Sequence, residues 1–265
     1  MKYFANEDFN IKKIAESGQC FRFNEVAQNE FRLVAKGRIL TIKALNDKLL
    51  DFSCDEEEFN AVWKHYFDLE TDYSKIRDKV IDDSFLLYCV DYGKGIRILN
   101  QDIFETVISF IISQRKSIPA IKTSVEKLCI LTGNEIENGI YSFPTPECIL
   151  RQKSEDLSAC GLGYRLDYVL AASEYFYENK KIINELSLMS DEDLFNELKS
   201  IKGIGDKVAS CICLFGFHRL NSFPKDVWIN RALSDKYPNG FDFNLYKPYN
   251  GVIQQYIFYA YKGTK

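Results

Sequence analysis

The sequence predicts an α+β protein: a small N-terminal antiparallel β-sheet domain over residues 1–75, then a mainly helical body over 76–265. Two observations lead there. From Cys20 to about Cys54, apolar and polar side chains alternate with period two, the mark of half-buried strands. From Asp55 onward the period becomes helical. No internal repeat or low-complexity linker separates the two parts, so they are expected to pack closely. At 265 residues, 46% of them hydrophobic, the chain can bury a full core.

Taken in order, Phe21 and Phe23 open the alternation, followed by Phe31 and Leu33. Ile39, Thr41 and Lys43 continue it, and Leu49, Asp51 and Ser53 close it. The breakers Asn24-Glu25, Lys36-Gly37 and Asn46-Asp47 are read as the turns between strands. Phe59, Val62, Trp63 and Tyr66 begin the helical series. Phe104, Val107, Ile108, Ile111 and Ile112 predict a strongly buried helix. Further helices are expected near 117–131, 165–178, 191–201, 205–217, 227–234 and 245–261.

Composition limits the chemistry. A net charge of −4 speaks against nucleic acid when taken alone, but binding follows the local field rather than the total. Acid is concentrated in Asp55-Glu56-Glu57-Glu58, whereas Arg115, Lys116, Lys122, Lys127, Arg165 and Lys199 to Lys207 form basic clusters. The start MKYFANEDFNIKK lacks the apolar core of a signal peptide, and no apolar run approaches the ~18–20 residues of a membrane span. Eight scattered cysteines read as free thiols of a reducing cytoplasm. Two histidines, His65 and His218, leave little material for a histidine metal site or a Ser-His triad. Lysine and carboxylate chemistry remains.

The segment LKSIKGIGDKVASCICLFGFHRLNSFPKD, residues 198–226, supplies both. A helix ending near Ile201 meets the turn Lys202-Gly203-Ile204-Gly205, and a second helix follows on Val208, Ala209, Ile212, Leu214 and Phe215. Gly203 and Gly205 leave backbone N–H groups bare at a helix N-terminus, a site for phosphate. A plain αα-corner would carry the same two glycines. Lys207 falls in the first turn, where the helix dipole disfavours an ammonium by ~0.3–1 kcal/mol and so favours the neutral amine that nucleophilic attack needs. A solvated lysine is the ordinary alternative. Asp226, after Pro224 and before Val227, is a good helix N-cap. Its capped carboxylate can also stabilise a developing oxocarbenium ion. Cys211 shares a helix face with Lys207, four residues away; Cys213 points elsewhere.

Hairpin, lysine and aspartate in this order resemble the helix-hairpin-helix superfamily of DNA base-excision glycosylases, in its lysine-bearing, lyase-active branch. Further segments extend the resemblance over nearly the whole chain, to the 8-oxoguanine DNA glycosylases. Ser17-Gly18-Gln19-Cys20-Phe21-Arg22 is similar to the family's Ser-Gly-Gln-x-Phe-Arg, whose glycine carbonyl accepts the lesion's N7–H. Normal guanine has an acceptor at that position, so one carbonyl attracts the lesion and repels the normal base. Tyr249 to Phe258 resembles the base-pocket segment, which implies that Gln254 reads the base edge and Phe258 stacks on the ring, with Pro224 beside them and Cys211 opposite. Gly161-Leu162-Gly163-Tyr164-Arg165 resembles the loop whose Tyr wedges the duplex and whose Arg reaches toward the unpaired base. Ile108 to Leu128 resembles the segment that fills the vacated stack, through Gln114 and Arg115.

Departures from the family occur there. Gln114-Arg115-Lys116-Ser117 replaces an asparagine run, Ala120 an arginine that reads the opposite cytosine, and Trp228 a phosphate-contacting histidine. No cysteine follows Asp226, so the iron–sulfur cluster of related branches is not expected. The resemblance therefore implies a monomeric, cytoplasmic, nucleoid-associated prokaryotic repair enzyme acting on double-stranded DNA that contains 8-oxoguanine. Its opposite-base preference would be relaxed. It would use no metal or redox cofactor, with at most a monovalent cation at the hairpin. A glycosylase for a different damaged base and a non-catalytic DNA-binding module are the alternatives.

Overall fold

The computed structural model describes residues 1–5, 8–179 and 181–263. Five antiparallel strands form the N-terminal sheet: β1 (Lys2–Phe4), β2 (Phe23–Ala27), β3 (Glu30–Ala35), β4 (Arg38–Ala44) and β5 (Leu49–Phe52). Their spatial order is β1-β5-β4-β3-β2. Phe31 stands opposite Ile42 and Leu33 opposite Leu40, so the alternating apolar set lands on one buried face. Lys36 and Gly37 both take left-handed backbone, with φ of 53° and 69°, as a two-residue hairpin turn requires.

Two expectations about the sheet are corrected. Asn24-Glu25 is no turn: β2 runs through it, and the chain reverses at Gln28-Asn29. Glu25 Oε1 accepts the Asn29 N–H at 3.1 Å and tightens that turn. The fifth strand, β1, was not anticipated, because three residues are too short to display a period; pairing with β5 defines it.

Seven helices matter to the site: α1 (Ile11–Glu16), α2 (Ile103–Ile112), α3 (Ile118–Thr132), α4 (Asp191–Ser200), α5 (Asp206–Phe215), α6 (Val227–Lys236) and α7 (Asn250–Gly263). Helix α7 begins five residues later than its apolar pattern predicts. Pro248 lacks the N–H a helix needs, and Phe241 and Phe243 instead pack with Phe223, with Tyr246 stacked on Phe241. Shorter helices at Pro146–Leu150, Ser154–Ser158 and Ile182–Leu188 were not anticipated, nor was the longer Ser84–Gly93, which packs against α7.

Two cores result, one under the sheet and one within the helices, and each borrows from the other part of the chain. Phe21 leaves the sheet to pack edge-on against Phe110 at 5.4 Å, and Leu99 packs into the sheet core. Arg22, 1% exposed, bonds Glu126 through Nε at 2.8 Å and the Tyr141 carbonyl at 2.6 Å. Arg97, equally buried, donates to the carbonyls of Asp8, Phe67, Asp68 and Thr71. These charged ties fix how the sheet sits on the helices, and the site forms along that junction.

Candidate active site

Helices α4 and α5 and the turn between them make the hairpin. Ser190 caps α4 by accepting the Asp193 N–H at 3.1 Å, and Lys199 Nζ meets Asp206 Oδ1 at 2.6 Å across the turn. Ile201 and Ile204 are buried, which pins the turn from inside. Gly203 has φ of +89°, and a Cβ there would lie 2.1 Å from Tyr168 Cγ. Both conformation and space therefore demand glycine. Gly205 caps α5 with extended backbone and no side-chain bond, in open space, so the first N–H groups of α5 face outward.

These two glycines should respond differently to substitution. Gly203→Ala is expected to lower stability by about 1–3 kcal/mol through left-handed strain and the Tyr168 clash. Gly205→Ala should cost under about 1 kcal/mol as a poorer cap. Denaturation midpoints of the two variants check this; equal losses would mean that Tyr168 simply moves aside.

Lys207, in the first turn of α5, reaches toward the end of α2. Its Nζ donates to Ser113 Oγ at 3.4 Å, and Ser113 Oγ donates onward to the Phe110 carbonyl at 2.7 Å. The amine also lies 5.1 Å above the Phe110 ring, which stacks on Phe215. Asp226 caps α6, its Oδ1 accepting the Ile229 N–H at 2.8 Å. Such a cap holds the carboxylate in one orientation.

Both groups open on one cavity of about 720 Å³. Nine of the thirteen residues singled out from sequence line it: Gly18, Gln114, Arg115, Lys207, Cys211, Pro224, Asp226, Gln254 and Phe258. They arrive from the loop after α1, the loop between α2 and α3, α5, the start of α6, and α7. Gly18 takes φ of +77°, and a Cβ there would sit 3.3 Å from Phe258 Cε1. Its neighbours are locked: Gln19 Nε2 donates to Ser17 Oγ and the Arg97 carbonyl, both at 2.8 Å. Gln254 is buried; its Nε2 donates to the Pro224 carbonyl at 3.1 Å and its Oε1 accepts from Gln255 Nε2 at 3.0 Å. Cys211 is buried four residues from Lys207, and burial pushes its thiol upward while Lys207 opposes that shift.

The other four stand outside the cavity wall: Gly203 and Gly205 on the hairpin, Tyr164 and Arg165 on the loop after residue 160. Gln114 joins both groups to the site. Its Nε2 donates to the Gly203 carbonyl at 3.1 Å, and its own carbonyl accepts Arg165 Nε at 2.7 Å. The Gly203 oxygen is thereby partly occupied, which weakens it as a ligand for a monovalent cation. Tyr164 is 52% exposed, as a wedge must be.

Arg165 is held within the protein. It is 7% exposed, bonded to the Gln114 and Leu162 carbonyls and stacked 4.4 Å from the Tyr164 ring. In this state it braces two loops, and to meet a base it would have to release carbonyl bonds. Arg115, by contrast, is exposed at the cavity and takes φ of +51°. Ala120 is half-buried in the first turn of α3 and does not line the cavity.

Sequence reasoning missed Ser113, Phe110, Gln255 and Lys262. Ser113 meets Lys207 across 94 residues, so no local pattern announces it. Lys262 could have been found, since it continues the α7 face of Gln254 and Phe258 at four-residue steps.

Comparison with known proteins bears on the family of the whole chain. The 8-oxoguanine DNA glycosylase N-terminal domain matches residues 3–107, and the HhH-GPD superfamily of base excision DNA repair proteins matches residues 108–239. A probable N-glycosylase/DNA lyase of Methanothermobacter thermautotrophicus is 32% identical over 71% of this chain and 65% of its own length. The N-glycosylase/DNA lyase of Saccharomyces cerevisiae is 33% identical over 65% of this chain and 50% of its own length. The chain thus spans one half to two thirds of these curated relatives. Among solved structures, MBOgg1 bound to a low-affinity DNA ligand superposes with a TM-score of 0.93 at 33% identity, over 99% of this chain and 95% of that one. The Clostridium acetobutylicum 8-oxoguanine glycosylase/lyase, bound to duplex DNA with cytosine opposite 8-oxoguanine, gives 0.90 at 31%, over 97% and 93%. With both parts of the chain matched, and with Lys207 and Asp226 facing one cavity beside the hairpin, the chain belongs to the 8-oxoguanine DNA glycosylases of the HhH-GPD superfamily.

Proposed function

We propose that this chain is a bifunctional DNA glycosylase and AP lyase that excises 8-oxoguanine from duplex DNA. The observation that carries the reading is the convergence of Lys207 and Asp226 on one cavity with Gly18, Cys211, Gln254 and Phe258. At about 720 Å³ the cavity has room for a purine, which reaches it only by leaving the duplex stack, at a cost of a few kcal/mol of unstacking. Phe258 and Cys211 offer surfaces for the two ring faces. The Pro224 carbonyl and Gln254 offer acceptors and donors for the base edge, and the Gly18 carbonyl takes the lesion's extra N–H.

Lys207 attacks the sugar C1′ as the glycosidic bond breaks, and the base leaves with the bonding electrons and one proton shed by the newly bonded Lys207 nitrogen. Asp226 stabilises the cationic sugar while that charge develops. The second proton of that nitrogen passes to the ring oxygen as the C1′–O4′ bond opens, which gives a Schiff base. Abstraction of a C2′ proton then expels the 3′ phosphate by β-elimination. The reaction so written runs on amine and carboxylate and calls for no metal or redox group. Action at the nucleoid of a prokaryotic cytoplasm, as a monomer, belongs to the same proposal.

Borohydride reduces the Schiff base to a permanent amine, so the test is to trap the chain on duplexes containing 8-oxoguanine. A covalent protein–DNA band with the lesion and none with guanine is the expected result. Trapping only on other damaged bases would reassign the substrate, and binding without trapping would leave a DNA-binding module.

Opposite-base preference should be relaxed. Ala120 has no donor for cytosine, and Arg165 is held by carbonyls, so at least one bidentate base contact is missing. Such a contact is worth ~1–3 kcal/mol of discrimination. Single-turnover excision opposite A, G or T is therefore expected within about tenfold of that opposite C. A strict requirement for cytosine would show that Arg165 or Arg115 rearranges on DNA to supply the contact.

A further inference from the structure

Gln255 follows Gln254 on α7 and lines the same cavity, and the reaction proposed above gives it no task. The residue is 3% exposed. Its Nε2 donates to Gln254 Oε1 at 3.0 Å, while its own buried Oε1 has no hydrogen-bond partner among the described residues. A buried acceptor without a donor is costly and rare. Turning the Gln255 amide over would not help, because its oxygen would then face the Gln254 oxygen.

Pro224, Gln254 and Gln255 thus form a relay with one direction. The Pro224 carbonyl accepts Gln254 Nε2 at 3.1 Å, which leaves Gln254 Oε1 to receive the Gln255 N–H. A reversed Gln254 amide would set oxygen against the Pro224 carbonyl and NH2 against the Gln255 NH2. An amide side chain has two N–H groups and two oxygen lone pairs, so one of each remains for a base. The relay fixes which is which.

That order matters for an oxidised purine. Both 8-oxoguanine and 8-oxoadenine carry an N–H at N7, so the Gly18 carbonyl does not tell them apart. They differ on the far edge of the ring. 8-Oxoguanine offers an acceptor at O6 and a donor at N1, whereas 8-oxoadenine offers a donor at N6 and an acceptor at N1. A glutamine free to turn its amide over would satisfy either edge. One held in a single orientation satisfies one edge and sets like against like on the other. We propose that Gln255 is a positioning residue for lesion choice, holding the Gln254 amide so that the cavity takes 8-oxoguanine and rejects 8-oxoadenine. The proposal rests on the glycosylase reading and deepens it.

The test measures single-turnover excision of each lesion by the full chain, in one duplex sequence opposite one partner base, and reads the ratio of rates. Effects common to both lesions, including any on Lys207 or Asp226, cancel in that ratio. Wild-type protein is expected to favour 8-oxoguanine by at least about a hundredfold. Gln255→Met is similar in size but has no N–H to donate, and it should lower the ratio by at least about tenfold. Made in a Gln254→Ala background, the same substitution should leave the ratio unchanged, because no amide remains to be held. A ratio that Gln255→Met leaves unaltered overturns the proposal, as does a preference kept by Gln254→Ala. An equal drop in both backgrounds also overturns it and makes Gln255 a packing residue. Equal excision of the two lesions by wild-type protein overturns it without any variant. Excision of neither lesion would instead remove the glycosylase reading, and this proposal with it.

Discussion

Lys207→Gln is expected to abolish both base release and borohydride trapping while DNA carrying the lesion still binds. Glutamine is neutral and non-nucleophilic, and it can still donate toward Ser113 Oγ, which Lys207 Nζ meets at 3.4 Å. The hairpin amides, the Gly18 carbonyl and the Gln254 amide are untouched, so flipping and recognition persist. Removing a cation from the positive end of α5 should leave stability unchanged or raise it by ~0.3–1 kcal/mol. Single-turnover excision, trapping and a denaturation curve on one preparation check all three. A covalent adduct retained by the variant would identify another amine, with Lys116, Lys225 and Lys262 the further lysines on the cavity wall.

The second large effect separates chemistry from capping at Asp226. Asp226→Asn should keep α6 intact, because asparagine accepts the Ile229 N–H as well as aspartate does. Excision should nonetheless fall by about a hundred- to a thousandfold, the usual consequence of removing one group aimed at a developing charge. Asp226→Ala removes cap and charge together. It should lose a similar amount of activity and, in addition, ~0.5–2 kcal/mol of stability. Near-normal rates in the asparagine variant would reduce Asp226 to a helix cap.

Much of this protein is written locally. The period of two between Phe31 and Leu33, the helical series from Phe104 to Ile112, and the glycines at 203 and 205 need no partner to be recognised, because strand, helix and turn are set by neighbours in sequence. The cap at Asp226 is equally local. Failures occurred where local rules lose to pairing. Strand β1 exists because β5 offers it a ladder, and β2 runs through Asn24-Glu25 because β3 does the same. Helix α7 starts late because Pro248 and an aromatic cluster shape the chain before it.

The site divides in the same way. Sequence alone determined which residue types could do the chemistry: a lysine in the first turn of a hairpin helix, a capping aspartate, a glycine free to take left-handed backbone, and Gln254 and Phe258 one helical turn apart. Only the tertiary structure decided that these face one cavity, that Ser113 and Phe110 bed the Lys207 amine, and that Gln114 joins the hairpin to the loop of Tyr164. It also decided that Arg165 braces that loop, although its position in the sequence suits a base reader. The physical reason is range. Periodicity, capping and backbone strain act over a few residues, whereas the partners of Gln114 and Lys207 are chosen by packing among segments that the sequence holds 51, 89 and 94 residues apart.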